Sequence, residues 1–446
     1  MWPKHEVITP QAVGSTSFTS PPPLSGMTYT EAIDHNHDHN GNHTHFVYAH
    51  PKTNAPISIA WNESARAAWR MTHAVHAHAA GTPAAKFAIL AVSDTISYTA
   101  VANGIIRAGF EAFLISHRVS APVVAHMLQK RGTTHVYVSR DPAMQAVANG
   151  AMEILGEGKV KVLEMPLFEE MYTNEPVERP PMVVPALDDI AIVLHSSGVY
   201  NVFLLSGLSL ILPSRFDLGS QDRSLSTSLP EHHRHIPVLV RDGPLHDRWL
   251  VGFRSPLPVG FLFSLQSYRH VLPMFHFLGA SAMVTAAWTG TTISVYPPQF
   301  PPVSPTPDSA IAHLAYTKAQ AVILPPVILE TLMAHKPTET IKALKHLKAV
   351  IFGGGPLNQG IGDALHNAGV KLGILYGMTE VLSIGVFLPT IVDGAPWDYL
   401  HVHKGHNIHF RDLENGTHEP VIMVCIINEK MEELSADTIV TGNRVA

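Results

Sequence analysis

Cysteine is almost missing from this chain: Cys425 is the only one in 446 residues. An intrachain disulfide and a multi-cysteine zinc site are thereby excluded, and a reducing, cytoplasmic setting is the expectation. Charge is also sparse, at 15% of residues with a formal net of −6, so neither a nucleic-acid partner nor a membrane surface is expected. Long apolar runs are lacking too. The most apolar stretch, Val199 to Leu212, falls short of the about 20 residues that a bilayer-spanning helix needs. The opening "MWPKHEVITPQAVGS" has no apolar core and no small-residue cleavage pattern, so no secretory leader is read there. No GxGxxG follows a strand pattern, which argues against an NADP site, and no repeat of fixed period is present.

What the chain does have is apolar content, 46%, enough for two or three domains or one large α/β unit. Residues 1–27 are rich in Pro, Ser and Thr and read as a disordered lead-in. The run "DHNHDHNGNHTHFVYAH" places His35, His37, His39, His43 and His45 close together. It reads as a polar loop before a strand at Phe46 to Ala49, with a metal site as the sharper alternative. From Ser58 onward helical and strand patterns alternate. "WNESARAAWRMTHAVHAHAA" reads as a helix with Asn62 as its cap, "KFAILAVSD" as a buried strand, and Gly109 and Gly132 as helix stops before further strands. That rhythm predicts an α/β fold with a largely parallel sheet. A proline-rich link, "EPVERPPMVVPALDD", divides a first unit, 28–187, from a second, 188–425, with a divergent tail at 426–446.

Three polar turns follow apolar strands. The first is His195-Ser196-Ser197-Gly198. The second is Gly353-Gly354-Gly355-Pro356-Leu357, where missing side chains let backbone approach a flat ligand. The third is Tyr376-Gly377-Met378-Thr379-Glu380, which offers an aromatic face, a hydroxyl and a carboxylate. Loops beyond the carboxyl ends of parallel strands converge on one site.

With "PMFHFLG" at 273–279 added, these turns occur in the order seen in the adenylate-forming superfamily. More narrowly, "GIIRAGFEAFLISHRVSAPVVAHML", "HVYVSRDPAM", "KAVIFGGGPLNQGIGDAL" and "WDYLHV" resemble the adenylation domain of fungal adenylate-forming reductases. The resemblance covers roughly 28–198 and 268–422 and implies the large domain of that fold: two α/β/α subdomains and a small distorted β-barrel. It implies ATP (or AMP) and Mg²⁺ as ligands and a small carboxylic acid as the substrate, joined as an acyl-adenylate. By the family pattern, Tyr376 lies against adenine with Gly353, Gly354, Gly355 and Pro356, flanked by Leu375, Gly377 and Met378. Thr379 bonds the α-phosphate, Glu380 binds Mg²⁺, and His276 borders the reacting carboxylate.

The phosphate loop is interrupted. Ser196, Ser197 and Gly198 match its first half, while Ser226, Thr227, Ser228, Leu229, Pro230 and Glu231 resemble its second half. Ser228 stands where glycine is expected and Glu231 where lysine is expected, a charge of the wrong sign to face a triphosphate. Residues 199–267 read as an aberrant stretch from unspliced or frame-shifted coding sequence, with a genuine inserted lid as the rival. The small C-terminal domain, the carrier-protein domain and the reductase domain of the family are absent from the sequence as read. Two functional expectations therefore stand: an adenylating enzyme domain, truncated and impaired, or a non-catalytic remnant that binds nucleotide weakly at most.

Overall fold

In the computed structural model, residues 17–183 (except 20 and 22–26), 190–195, 272–304, 306–377 and 397–398 are described in full, and residue 378 by its backbone. Backbone strands are also described at 205–208, 236–241, 249–253, 267–270, 382–387, 401–402, 408–412, 418–427 and 433–440.

Two mostly parallel sheets organise the chain. The first has eight strands in the order Trp249–Phe253, Ile236–Arg241, Leu205–Leu208, Ile192–His195, Ala112–Ile115, Phe87–Leu90, His135–Val138, Lys161–Glu164. The last five run parallel, and the first three extend the sheet antiparallel. The second has nine strands in the order His401–Val402, Leu382–Phe387, Leu372–Met378, Ala349–Gly353, Ala321–Leu324, Ser267–His270, Thr292–Ser294, Thr44–Ala49, Pro56–Ala60. Its six middle strands, from Leu372–Met378 to Thr44–Ala49, are parallel. A third, antiparallel sheet joins Ile408–Asp412, His418–Ile427 and Glu433–Val440, the last of these strands lying in the segment the sequence reading takes as a divergent tail.

Successive strand side chains point to opposite faces, and both parallel sheets are covered on both faces. In the first sheet, Phe87, Ile89, Ala112, Leu114, Ile192 and Leu194 face an inner core. Their alternates Ala88, Leu90, Phe113, Ile115 and Val193 face an outer one. The second sheet divides the same way, with Phe46, Ile293, Ala321, Ile323, Ala349 and Ile351 inward and Val322, Leu324, Val350 and Phe352 outward. Four helices fill the space between the sheets: Tyr29–His39, Trp61–Ala79, Thr95–Arg107 and Phe277–Thr289. Burial on both faces explains why these strands read as unbroken apolar runs.

Local expectations hold in several places. Gly109 and Gly132 take φ of 84° and 65°, ending helices before the strands Ala112–Ile115 and His135–Val138. Others need correction. Asn62 lies inside its helix, whose cap is Ala60. The Glu63 carboxylate accepts the Ala60 N–H at 2.8 Å, so the exposed donor is satisfied one turn in rather than by Asn62. Part of the lead-in is docked: Phe18 is buried and Asn40 bonds both the N–H and the carbonyl of Thr19. The histidine run is less a loop than the end of the helix Tyr29–His39 and the start of the strand Thr44–Ala49. That strand belongs to the second sheet although it lies in the first sequence unit.

Candidate active site

The strands Ala349–Gly353 and Leu372–Met378 are parallel neighbours, with Gly353 opposite Leu375. A Cβ at Gly353 would stand 2.6 Å from the Leu375 carbonyl oxygen, so the close approach of the strands requires glycine there. Gly354 turns left-handed, φ 86°, and neither it nor Gly355 would bring a Cβ within 4 Å of anything. Pro356 is exposed and Leu357 is buried in the outer core, anchoring the bend. Among the described residues, the space in front of the two glycines is open.

Leu375 is buried, and Tyr376 packs against the inner core. The Tyr376 hydroxyl is buried and has no hydrogen-bond partner among the described residues, an arrangement that costs free energy unless something else supplies one. The register shifts between Tyr376 and Gly377 against the strand Leu382–Phe387, and such bulges re-aim side chains at the ends of strands. Met378 ends its strand opposite Leu382. Thr379 and Glu380 lie outside the described residues, as do Ser196, Ser197, Gly198, Ser226 and Thr227.

His276 follows the strand Ser267–His270, which runs parallel to those carrying the glycine bend and Tyr376. The three segments therefore leave the sheet at one edge. His276 is the N-cap of Phe277–Thr289. Its bend is tight: a Cβ at Gly279 would sit 2.1 Å from the Pro273 carbonyl oxygen. His276 is exposed. The protein packed around its ring is the first cause, and the nearby His195, Arg118 and His117 are the second, of a pKa held below the ordinary imidazole value.

Those neighbours bring in the carboxyl end of the first sheet. The Ser116 N–H donates to His195 Nε2 at 2.9 Å, tying the ends of Ala112–Ile115 and Ile192–His195 together. The His117 ring meets Phe275 edge-on, with centroids 5.1 Å apart, and Phe275 lies 4.7 Å from His276. Ser116, His117 and Arg118 escaped the sequence reading. Their signal is the polar run "SHRVS" directly after a buried strand, the same signature as "HSSG".

The histidine run does not gather into one centre. His45 is buried, bonded to Ser64 and stacked on Trp61 at 3.7 Å. His43 bonds Ser17 and the Gly290 carbonyl, and His37 bonds Asp38 and lies against Trp69. Among the described residues no helix is long and apolar enough to cross a membrane.

The glycine bend, Tyr376 and His276 thus lie at one edge of a mostly parallel sheet, a fold that comparison with known proteins also finds. Residues 259–414 match the family model described as "AMP-binding enzyme", a match that starts within the stretch 199–267. The adenylate-forming reductase Nps9 of Serpula lacrymans var. lacrymans is 29% identical over 360 residues, 75% of this chain and 29% of its own length. Nps10 of Heterobasidion annosum is 26% identical over 444 residues, 94% of this chain and 36% of its own length. The chain spans about a third of the length of the curated relatives it matches. Among solved structures, o-succinylbenzoate CoA synthetase (MenE) of Bacillus subtilis superposes with a TM-score of 0.61 at 14% identity, over 93% of this chain and 75% of that one. The nonribosomal peptide synthetase FmoA3 superposes with a TM-score of 0.60 at 15% identity, over 96% of this chain and 40% of that one. These two show the fold. The family match and the relatives support a place in the adenylate-forming superfamily, and the chain is similar to the fungal adenylate-forming reductases.

Proposed function

We propose that this chain is an adenylation unit that activates a small carboxylic acid with ATP. A carboxylate oxygen attacks the α-phosphorus of ATP, and the bond to the β-phosphate bridging oxygen breaks. The electron pair leaves with pyrophosphate, and the product is an acyl-adenylate. The observation that carries this reading is the pairing of Gly353 with Leu375, which sets the triple-glycine bend beside Tyr376 at the edge from which His276 also emerges.

In this reading the Tyr376 ring offers adenine a flat face, and its hydroxyl, without a partner among the described residues, gains a hydrogen bond from the nucleotide. Gly354 and Gly355, open in front, let backbone approach the purine, with Pro356, Leu375, Gly377 and Met378 around it. His276, whose imidazole is held below its ordinary pKa by its packing and by His195, Arg118 and His117 beside it, meets the carboxylate as a hydrogen-bonding group rather than as its ion-pair partner. That leaves the carboxylate oxygen its negative charge for attack. Thr379, Ser196, Ser197, Gly198, Ser226 and Thr227 are assigned to the phosphates and Glu380 to Mg²⁺. The metal ion supplies neutralisation of charge gathering on the phosphate oxygens. The likeness to adenylate-forming reductases supports a unit whose activated acyl group is passed on for reduction.

A second reading rests on Ser228 and Glu231, which stand where glycine and lysine would serve a triphosphate: a nucleotide-binding unit with little turnover. ATP–pyrophosphate exchange over a panel of small aromatic and aliphatic acids separates the two. Acid-dependent exchange that falls roughly 100-fold or more in Glu380→Ala supports the enzyme. ATP binding by calorimetry without exchange supports the second reading, and absence of both overturns the two together.

A further inference from the structure

We propose that His35 and His39 form a two-imidazole site for a square-planar divalent cation, Cu(II) or Ni(II), on the outer face of the helix Tyr29–His39. Residues four apart share one helix face, and here the two rings lie 4.4 Å apart between centroids, tilted by 38°. Two imidazoles bound side by side on one ion, with metal–nitrogen bonds of about 2.0–2.1 Å, hold their centroids roughly 4.5 Å apart when the bonds meet at a right angle. A tetrahedral angle would spread them to about 5 Å. The observed spacing thus matches the right-angle geometry that Cu(II) and Ni(II) prefer with nitrogen ligands.

The lone pairs are available. His35 Nε2 faces the Thr19 carbonyl at 3.4 Å, so its proton points there and Nδ1 carries the lone pair. His39 is exposed and makes no hydrogen bond among the described residues. The other histidines of the run are engaged elsewhere, His37 with Asp38 and Trp69, His43 with the Gly290 carbonyl, and His45 in the core. Among the described residues no group of three or more His, Cys, Asp or Glu is placed to hold a metal. Two ligands therefore come from the helix, and the remaining positions are left to water.

Titration of the full chain with Cu(II), followed by calorimetry and electron paramagnetic resonance, tests this without reference to catalysis. The wild type is expected to bind one equivalent more than a His35→Gln/His39→Gln variant, with nitrogen hyperfine splitting from two imidazoles in that equivalent. His37→Gln should retain it. The extra equivalent should also raise the melting temperature, because the ion clamps a helix turn in the folded state only. Circular dichroism of the double variant checks that the helix, whose capping box of Thr28 and Glu31 is untouched, still forms. Equal stoichiometry and spectra in wild type and double variant would overturn the site, as would loss of the equivalent in His37→Gln.

Discussion

Glycines 353 and 355 sit two residues apart and answer to different constraints. At Gly353 the constraint is the neighbouring strand, whose Leu375 carbonyl oxygen would be 2.6 Å from a new Cβ. Gly353→Ala is therefore expected to lower stability by about 1–3 kcal/mol, read as a shifted urea midpoint. At Gly355 nothing stands within 4 Å, so Gly355→Ala should leave that midpoint in place and weaken ATP binding instead. Tyr376 makes a similar distinction: Tyr376→Ala should weaken ATP binding tenfold or more by calorimetry, while Tyr376→Phe keeps the stacking face and loses less. Asp94 carries a stability prediction. It caps Thr95–Arg107 by accepting the Ser97 N–H at 2.9 Å, and burial raises its pKa from 3.8 to about 6. The folded state therefore holds a proton that the unfolded chain releases. Stability falls as pH rises from about 4 to about 6, and the cost persists above that window. Asp94→Asn keeps the cap and removes the cost, so it should raise stability at pH 7 by on the order of 2 kcal/mol and flatten the melting temperature between pH 4 and 6.

The proline-rich link behaves, at least up to Val183, as a fastened strap rather than a tether. Arg70 donates to the carbonyls of Met171, Thr173 and Glu175, His73 meets that of Glu178, and Arg107 reaches Pro180. Prolines cannot donate to a sheet ladder, so this segment's carbonyls are satisfied by side chains from the helices beneath it. Arg107 also forms a two-pronged pair with Asp34, at 3.1 and 2.7 Å, and Trp69 donates to the same carboxylate at 2.9 Å. Arg107 is fully buried. Asp34→Asn would leave its guanidinium without a counter-charge in the core, at a cost of about 3–5 kcal/mol. The chemical-denaturation midpoint should fall accordingly, and limited proteolysis should open the strap first.

At the scale of the molecule, the two sheets share one inner core. The strand Thr44–Ala49 pairs with Thr292–Ser294, and Asn36 donates to the Ala287 carbonyl at 2.7 Å. A fragment of residues 28–187 would expose the inner faces of its helices and leave an unpaired strand, so it should lack near-ultraviolet circular dichroism and aggregate. A soluble, cooperatively melting fragment would show that the first sheet suffices alone. The sequence division at 187 lies outside the described residues, and the packing of the two units runs across it.

Much of the architecture was legible because helix and strand periodicity, glycine stops and caps are local: they depend on residues a few positions apart. The strands at Phe87, Ala112, His135, Ala321 and Ala349 and the order of the polar turns were readable for that reason. Asn62 was misread because a glutamate at the third helical position, rather than the first polar residue, supplied the cap. Only the fold decided which distant segments became neighbours. Strand order, not sequence order, brought "SHRVS" to His195 and His276, and the helix turn reduced a run of five histidines to one pair of facing rings. Local chemistry wrote the elements; the meeting of two sheet edges, a matter of long-range burial, gathered the candidate residues.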